Sequence, residues 1–170
     1  MAEGKGIARP TAGQAAHKGR MLMKSSSLTL GDYRDEQRIS LRVRYADTDR
    51  MGVVYHANYF AYFESGRAEL IRRIWKPYAE LEKAGVLLPI IEAGCRYYQG
   101  AEYDDLLTVC TRVAGFSGAR LRFEYAIFKS EKNAPLAFGF TVHCFADRRG
   151  RPRRMPTELY DLLKRYKTRN

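Results

Sequence analysis

The sequence predicts an α+β fold, in which one long amphipathic helix packs against an antiparallel sheet of about five strands. Three observations predict it. A stretch in which apolar and polar residues alternate precedes one in which apolar residues recur at helical spacing. Four more alternating stretches follow, and turn residues separate them. Short connections favour antiparallel neighbours, and one helix beside one such sheet is the α+β arrangement.

The chain divides into an N-terminal extension and one folded domain. Residues 1–36 are rich in Gly, Ala, Ser and Lys and almost lack aromatic residues, which predicts a disordered extension. Residues 37–170 carry the helix and strand patterns and form the predicted domain. The full length of 170 residues suits one domain with a substantial core.

Each element follows from its own pattern. Apolar and polar residues alternate over 38–45, which predicts a strand. Apolar side chains then recur at helical spacing from about His56 to Trp75, and Pro77 ends the helix. Gly66 lies on that apolar stripe, so we expect the helix to approach another surface closely there. Four strands and a short helix are predicted over residues 86–98, 106–116, 121–127, 136–144 and 156–166.

The net charge of +11 lies mostly at the two ends of the chain. Residues 1–38 hold seven basic and four acidic residues, and residues 147–170 hold nine and three, which leaves +2 for residues 39–146. The run 148–154 is predicted to be a basic tail, either solvated or in contact with a polyanion. The nearly neutral middle and the lack of a recognition motif argue against nucleic-acid binding.

Cysteine content and hydropathy restrict the class of protein further. Three widely spaced cysteines predict neither a disulfide framework nor a metal site, and a reducing, cytoplasmic compartment fits them best. No apolar run approaches the roughly 20 residues that span a bilayer, so no integral membrane contact is expected.

The stretch 45–59, between the first strand and the helix, carries the candidate chemistry. The first turn of a helix presents backbone N–H groups without intrahelical partners, and these groups hold negative charge. The N–H groups of Tyr55, His56 and Ala57 are therefore candidates to stabilise an oxyanion. The carboxylate of Asp49 could activate water or attack an acyl carbon. The alternative is an aspartate that only caps the helix.

The same residues resemble the signature of the 4-hydroxybenzoyl-CoA thioesterase family. The positions that match, with the same spacing and no gaps, are Arg42, Val43, Thr48, Asp49, Gly52, Val53, Val54, Ala57 and Tyr59. The run Tyr55-His56-Ala57 is shared with the acyl-CoA thioesterases of that family that are linked to the bacterial Tol–Pal system. The resemblance covers about residues 37–166.

This resemblance implies a hotdog fold, in which the antiparallel sheet wraps the long helix. It implies hydrolysis of an acyl-CoA thioester to the free acid and CoA, without a metal or other cofactor, in a homodimer or homotetramer with active sites between subunits. Asp49 falls on the catalytic aspartate and His56 on the oxyanion N–H donor. The His56 imidazole would orient the thioester or the water, unless a backbone group satisfies it. Tyr55 and Asn58 are predicted to contact substrate.

Two other carboxylates compete with Asp49. Asp47 would share a strand face with Asp49 if the strand continued, and two close carboxylates would raise one pKa; we favour a pairing of Asp47 with an arginine. Glu64 follows His56 by eight residues, the spacing at which another branch of hotdog thioesterases places a catalytic glutamate. For Glu64 we favour an ion pair with Arg67.

The phosphates of coenzyme A require basic groups or free amides. By resemblance, the turn with Ser117, Gly118 and Arg120 is predicted to bind them, and an ordinary hairpin turn is the alternative. A non-catalytic binding module for acyl-CoA or acyl-carrier protein is the second function left open. A hotdog hydratase is disfavoured, because Val54 stands where that branch has a histidine. The acyl group and the choice between dimer and tetramer stay open.

Overall fold

The computed structural model describes Leu30, residues 36–130 and residues 132–169. The predicted extension, residues 1–36, lies almost entirely outside the described residues. Within the described part, no helix is both long enough and apolar enough to cross a membrane.

The described residues form one five-stranded antiparallel sheet and three α-helices. In chain order these elements are β1 (Gln37–Arg42), α1 (Asn58–Ile74), α2 (Tyr78–Lys83), β2 (Ile90–Tyr97), β3 (Leu106–Ser117), β4 (Arg120–Lys129), β5 (Pro135–Cys144) and α3 (Thr157–Arg169). The strand order in the sheet is β1-β3-β4-β5-β2, and each pairing is antiparallel. The predicted α+β hotdog architecture is confirmed.

Two expectations about the strands were wrong. The first strand ends at Arg42, because the chain turns into a 3-10 helix at Tyr45–Asp47. The strands β2 and β3 are not neighbours, since β2 pairs with β5 at the sheet edge. The link between β2 and β3 crosses the end of the sheet, with Ala101 buried and its carbonyl accepting from the N–H of Val54 at 2.7 Å. This crossing holds the segment that precedes α1.

The close approach expected at Gly66 is confirmed. A Cβ at this position would lie 2.3 Å from Oγ1 of Thr111 and 3.1 Å from Cγ1 of Val109, so only glycine lets α1 pack this closely on β3. One turn earlier, the ring of Phe63 stacks on that of Tyr125 with centroids 4.5 Å apart. The helix and the sheet therefore share one continuous core.

Arg67 is buried on α1 but does not pair with Glu64, so the favoured ion pair was wrong. Among the described residues, its guanidinium instead donates to the Tyr125 hydroxyl at 3.5 Å and lies 5.9 Å from the ring centre of Tyr78. The helix turns Arg67 toward the sheet and leaves Glu64 exposed. The carboxylate of Glu64 thus faces away from its expected partner.

A buried chain of hydrogen bonds continues from Tyr125 through the sheet. Its hydroxyl lies 2.6 Å from Oγ1 of Thr141, which lies 2.9 Å from Nε2 of His143. Nδ1 of His143 lies 2.9 Å from the carbonyl oxygen of Leu88, which can only accept, so the proton of a neutral His143 is on Nδ1. Thr141 then donates to Nε2 and accepts from Tyr125. Each hydrogen bond in this series therefore has one assigned donor and one assigned acceptor.

The basic run is not a tail but an ordered hairpin between β5 and α3, called here the arginine hairpin (residues 145–153). The N–H of Asp147 donates to the carbonyl of Arg151 at 3.0 Å, and the N–H of Arg153 donates to that of Phe145 at 2.8 Å. Gly150 supplies the left-handed turn conformation, with φ of 75°. The hairpin holds four exposed arginines in defined positions.

Candidate active site

Asp49 lies at the start of a tight turn between β1 and α1. Its N–H donates to the carbonyl of Val53 at 2.9 Å, and its own carbonyl accepts from the N–H of Gly52 at 2.9 Å. Gly52 has φ of 77°, which this turn requires. Oδ1 of Asp49 accepts from the N–H of Met51 at 2.9 Å, and Oδ2 has no hydrogen-bond partner in the described part of the chain. One carboxylate oxygen is thus free to meet water or a substrate.

Asp47 is buried and does not share the surroundings of Asp49. Its carboxylate accepts from Nη2 of Arg44 at 2.8 Å and from the Tyr62 hydroxyl at 3.0 Å, so the predicted pairing with an arginine is confirmed. The hydrogen bond from Arg44 lowers the pKa of Asp47 below its usual range. The carboxylate is therefore ionised and fully occupied, and the close pair that we considered with Asp49 does not form on a common strand.

The carbonyl of Asp47 ties the Asp49 turn to the start of α1. It accepts from the N–H of Tyr55 at 2.9 Å and from Nδ2 of Asn58 at 2.8 Å. The backbone of Asp47 therefore holds the helix start. Its side chain holds the second turn of the helix through Tyr62. This places the Asp49 turn and the helix start in one rigid unit.

Of the three candidate N–H groups before the helix, only those of His56 and Ala57 are free among the described residues. The N–H of Tyr55 is used by Asp47, so its expected role as an oxyanion donor was wrong. The N-cap residue, Ala57, offers no side-chain cap, and among the described residues no acceptor faces the N–H of His56 or of Ala57. The carbonyl of Tyr55 accepts from the N–H of Asn58 at 2.9 Å, which turns the opposite N–H, that of His56, away from the helix. Both free groups suit an anion.

Aromatic rings lie beside the start of the helix. The ring of Tyr55 lies 4.3 Å from that of His56, and the two side chains are exposed. Tyr97 on β2 donates from its hydroxyl to the carbonyl of His56 at 2.8 Å, and its ring meets that of Tyr59 edge to face at 5.1 Å. Asn58 is only partly exposed and its amide is engaged by Asp47, so its contact with a substrate stays a prediction.

The predicted phosphate-binding turn is distant from Asp49 within one chain. Arg42, just before the Asp49 turn, pairs with Leu106 at the start of β3, whereas Ser117 ends that strand. Twelve residues of strand separate the two ends by roughly 35 Å. Gly118 has φ of 56°, and its carbonyl accepts from the N–H of Met155 at 2.9 Å. The turn with Ser117, Gly118 and Arg120 therefore lies beside the arginine hairpin and away from the chain's own Asp49.

The structure adds two residues that the sequence patterns did not assign to the site, Tyr62 and Tyr97. Tyr62 lies on the helix at a position that only a core stripe would suggest, and its bond to Asp47 spans 15 residues. Tyr97 reaches the helix start because β2 occupies the sheet edge, a placement that local periodicity does not contain. No group of three or more His, Cys, Asp or Glu side chains suited to a metal occurs among the described residues.

The comparisons with known proteins agree with this architecture. Residues 43–163 match the thioesterase-like superfamily. The acyl-CoA thioester hydrolase YbgC of Escherichia coli O6:H1 is 31% identical over 119 residues, which cover 70% of this chain and 89% of that protein.

Two solved structures are also similar. The hypothetical protein TT1821 from Thermus thermophilus is 34% identical, with a TM-score of 0.72 and coverage of 77% of this chain and 99% of that one. The DHNA-CoA thioesterase from Staphylococcus aureus is 28% identical, also with a TM-score of 0.72, over 78% and 93% of the two chains. The chain belongs to the thioesterase-like superfamily and is a thioester hydrolase.

Proposed function

We propose that this enzyme hydrolyses acyl-CoA thioesters, with Asp49 as general base or nucleophile and the N–H of His56 as an oxyanion donor. One observation carries the proposal. The backbone carbonyl of Asp47 ties the Asp49 turn to a helix start that has no side-chain cap, and the Asp49 carboxylate in that turn has one free oxygen. These are the two groups that acyl transfer to water requires.

Both roles of Asp49 give a balanced reaction. As a base, Asp49 accepts a proton from water while the oxygen of that water adds to the thioester carbonyl. The oxyanion then reforms the carbonyl, the C–S bond breaks, and the proton returns from Asp49 to the thiolate of CoA. As a nucleophile, Asp49 displaces the thiolate to form a mixed anhydride, which water then hydrolyses.

A second copy of the chain would complete the site. The strand β2 is an uncovered sheet edge, with Ile90 and Ile91 each 50% exposed. Antiparallel pairing of two such edges about a twofold axis would place the Tyr97 end of one copy beside the Ile90 end of the other. The second copy's arginine hairpin and Ser117–Arg120 turn lie at that end. They would supply the positive charge for the CoA phosphates, in a homodimer or within a homotetramer.

The finer family placement is also a proposal. The run Tyr55-His56-Ala57 favours the Tol–Pal-associated branch of the 4-hydroxybenzoyl-CoA thioesterase family. Three free cysteines, Cys95, Cys110 and Cys144, suit a cytoplasmic location. Hydrolysis without metal or cofactor stays a prediction, and equal rates before and after dialysis against a chelator would support it.

A thiol-release screen over aliphatic and aromatic acyl-CoAs tests the proposed function. We expect release from at least one group of substrates. Calorimetric titration with the same compounds distinguishes the alternative: tight binding with no thiol release from any of them would replace the enzyme by a binding module for acyl-CoA or acyl-carrier protein.

A further inference from the structure

Tyr97 makes a contact at the helix start that the proposed chemistry has not used. Its hydroxyl lies 2.8 Å from the carbonyl oxygen of His56, 41 residues earlier in the chain. A carbonyl oxygen can only accept a hydrogen bond, so the Tyr97 hydroxyl is the donor. Edge-to-face contacts with Tyr59 at 5.1 Å and His56 at 6.4 Å fix the position of its ring.

The carbonyl that Tyr97 holds belongs to the same peptide unit as the N–H of Ala57. The described residues contain no cis peptide bond, so this N–H points in the opposite direction from the His56 carbonyl. A fixed carbonyl therefore fixes the direction of the N–H, which has no acceptor within the described part of the chain. A hydrogen bond to the carbonyl also polarises the amide and makes its N–H a stronger donor.

We propose that Tyr97 is a positioning residue, which aims the N–H of Ala57 at the oxyanion of the thioester as a second donor beside that of His56. This inference rests on the proposed function. The fold does not need the Tyr97 hydroxyl, because Asp47 already holds the helix start through Tyr55 and Asn58. The Tyr97 side chain is also 42% exposed, unlike the core residues around it.

Tyr97→Phe removes the hydroxyl and keeps the ring, and Tyr98→Phe is its matched control. Tyr98 is the next residue, is 36% exposed, and meets Phe138 edge to face at 5.8 Å. We expect Tyr97→Phe to lower kcat by about fivefold to a hundredfold. This range lies between the effect on the rate of losing one neutral hydrogen bond and the effect of losing a whole oxyanion donor. KM and the unfolding temperature should stay unchanged, and Tyr98→Phe should match the wild type.

The amide nitrogen shift of Ala57, measured by NMR, reports the hydrogen bond to its peptide unit, and the loss of kcat at unchanged KM is the readout that a merely structural role would not move. The shift should change in Tyr97→Phe and not in Tyr98→Phe. An active wild type with the same kcat in Tyr97→Phe would overturn the inference and leave the proposed function standing. Loss of kcat without a change at Ala57 would also overturn it. A wild type without thiol release would remove both.

Discussion

Asp47 and Asp49 are two residues apart, and the structure predicts opposite consequences for their removal. Asp47→Ala should destabilise the fold, whereas Asp49→Ala should leave it intact. Asp47 is 4% exposed and its carboxylate accepts from Arg44 and Tyr62. Asp49 loses only the bond from the N–H of Met51, at the surface.

The size of the Asp47 effect follows from its partners. Its replacement by alanine leaves the buried hydroxyl of Tyr62 without an acceptor, which costs about 1–3 kcal/mol. The bond from the backbone N–H of Arg44 adds about 1 kcal/mol. The Arg44 side chain is mostly exposed, so its ion pair adds little. The free energy of unfolding should therefore fall by about 2–4 kcal/mol, which lowers the unfolding temperature by roughly 10 °C.

Urea and thermal unfolding of the two variants, beside thiol release, measure this contrast. Asp47→Ala should unfold early, and Asp49→Ala should unfold with the wild type. Asp47→Asn separates charge from hydrogen bonding, because its amide oxygen can still accept from Tyr62 and should restore part of the stability. Equal unfolding temperatures for Asp47→Ala and Asp49→Ala would refute the assignment of Asp47 as the group that holds the site together.

Three further predictions concern the core and the charged surface. Burial lowers the pKa of His143 to about 4, so as the pH falls the unfolded chain protonates this imidazole before the folded chain does. The free energy of unfolding should therefore fall by about 3 kcal/mol from pH 6.5 to 4. Urea unfolding of His143→Gln should lack this pH-dependent loss of stability. Gly66→Ala should cost about 1–2 kcal/mol, because overpacking against Thr111 exceeds the gain in helix propensity, and an unchanged urea midpoint would contradict it. Arg151→Glu combined with Arg153→Glu should raise KM for acyl-CoA by about tenfold but leave hydrolysis of the uncharged acyl-pantetheine unchanged; equal effects on both substrates would exclude phosphate binding by the hairpin.

The local patterns predicted the strands and the long helix because apolar residues recur in them with a period of two or at helical spacing. The amphipathic spacing predicted α1 within two residues of its observed ends, Asn58 and Ile74. The six-residue helix α2 was missed, although Pro77 before it and Gly85 after it are a recognisable signal for helix ends. Gly150 was a similar signal for the arginine hairpin, which the charge run concealed.

The contacts that build the site were beyond local patterns, because they join distant elements. We considered a strand that continues through Asp47, because a period of two cannot show that the chain turns at Tyr45. The bond from Tyr97 to His56 depends on β2 occupying the sheet edge, which short connections alone did not predict. Asp49 was identified from its place in a signature, and the structure contributes its free oxygen and its turn.

The most direct test of the proposed chemistry is the rate of thiol release by Asp49→Asn under single-turnover conditions. We expect a rate at least about a hundredfold below that of the wild type, because the variant lacks the carboxylate that we propose to activate water or attack the carbonyl. Affinity for a non-hydrolysable thioether analogue of acyl-CoA and the unfolding temperature should stay at wild-type values. A rate within about threefold of the wild type, repeated in Asp49→Ala, would contradict the assignment of Asp49 to the reaction.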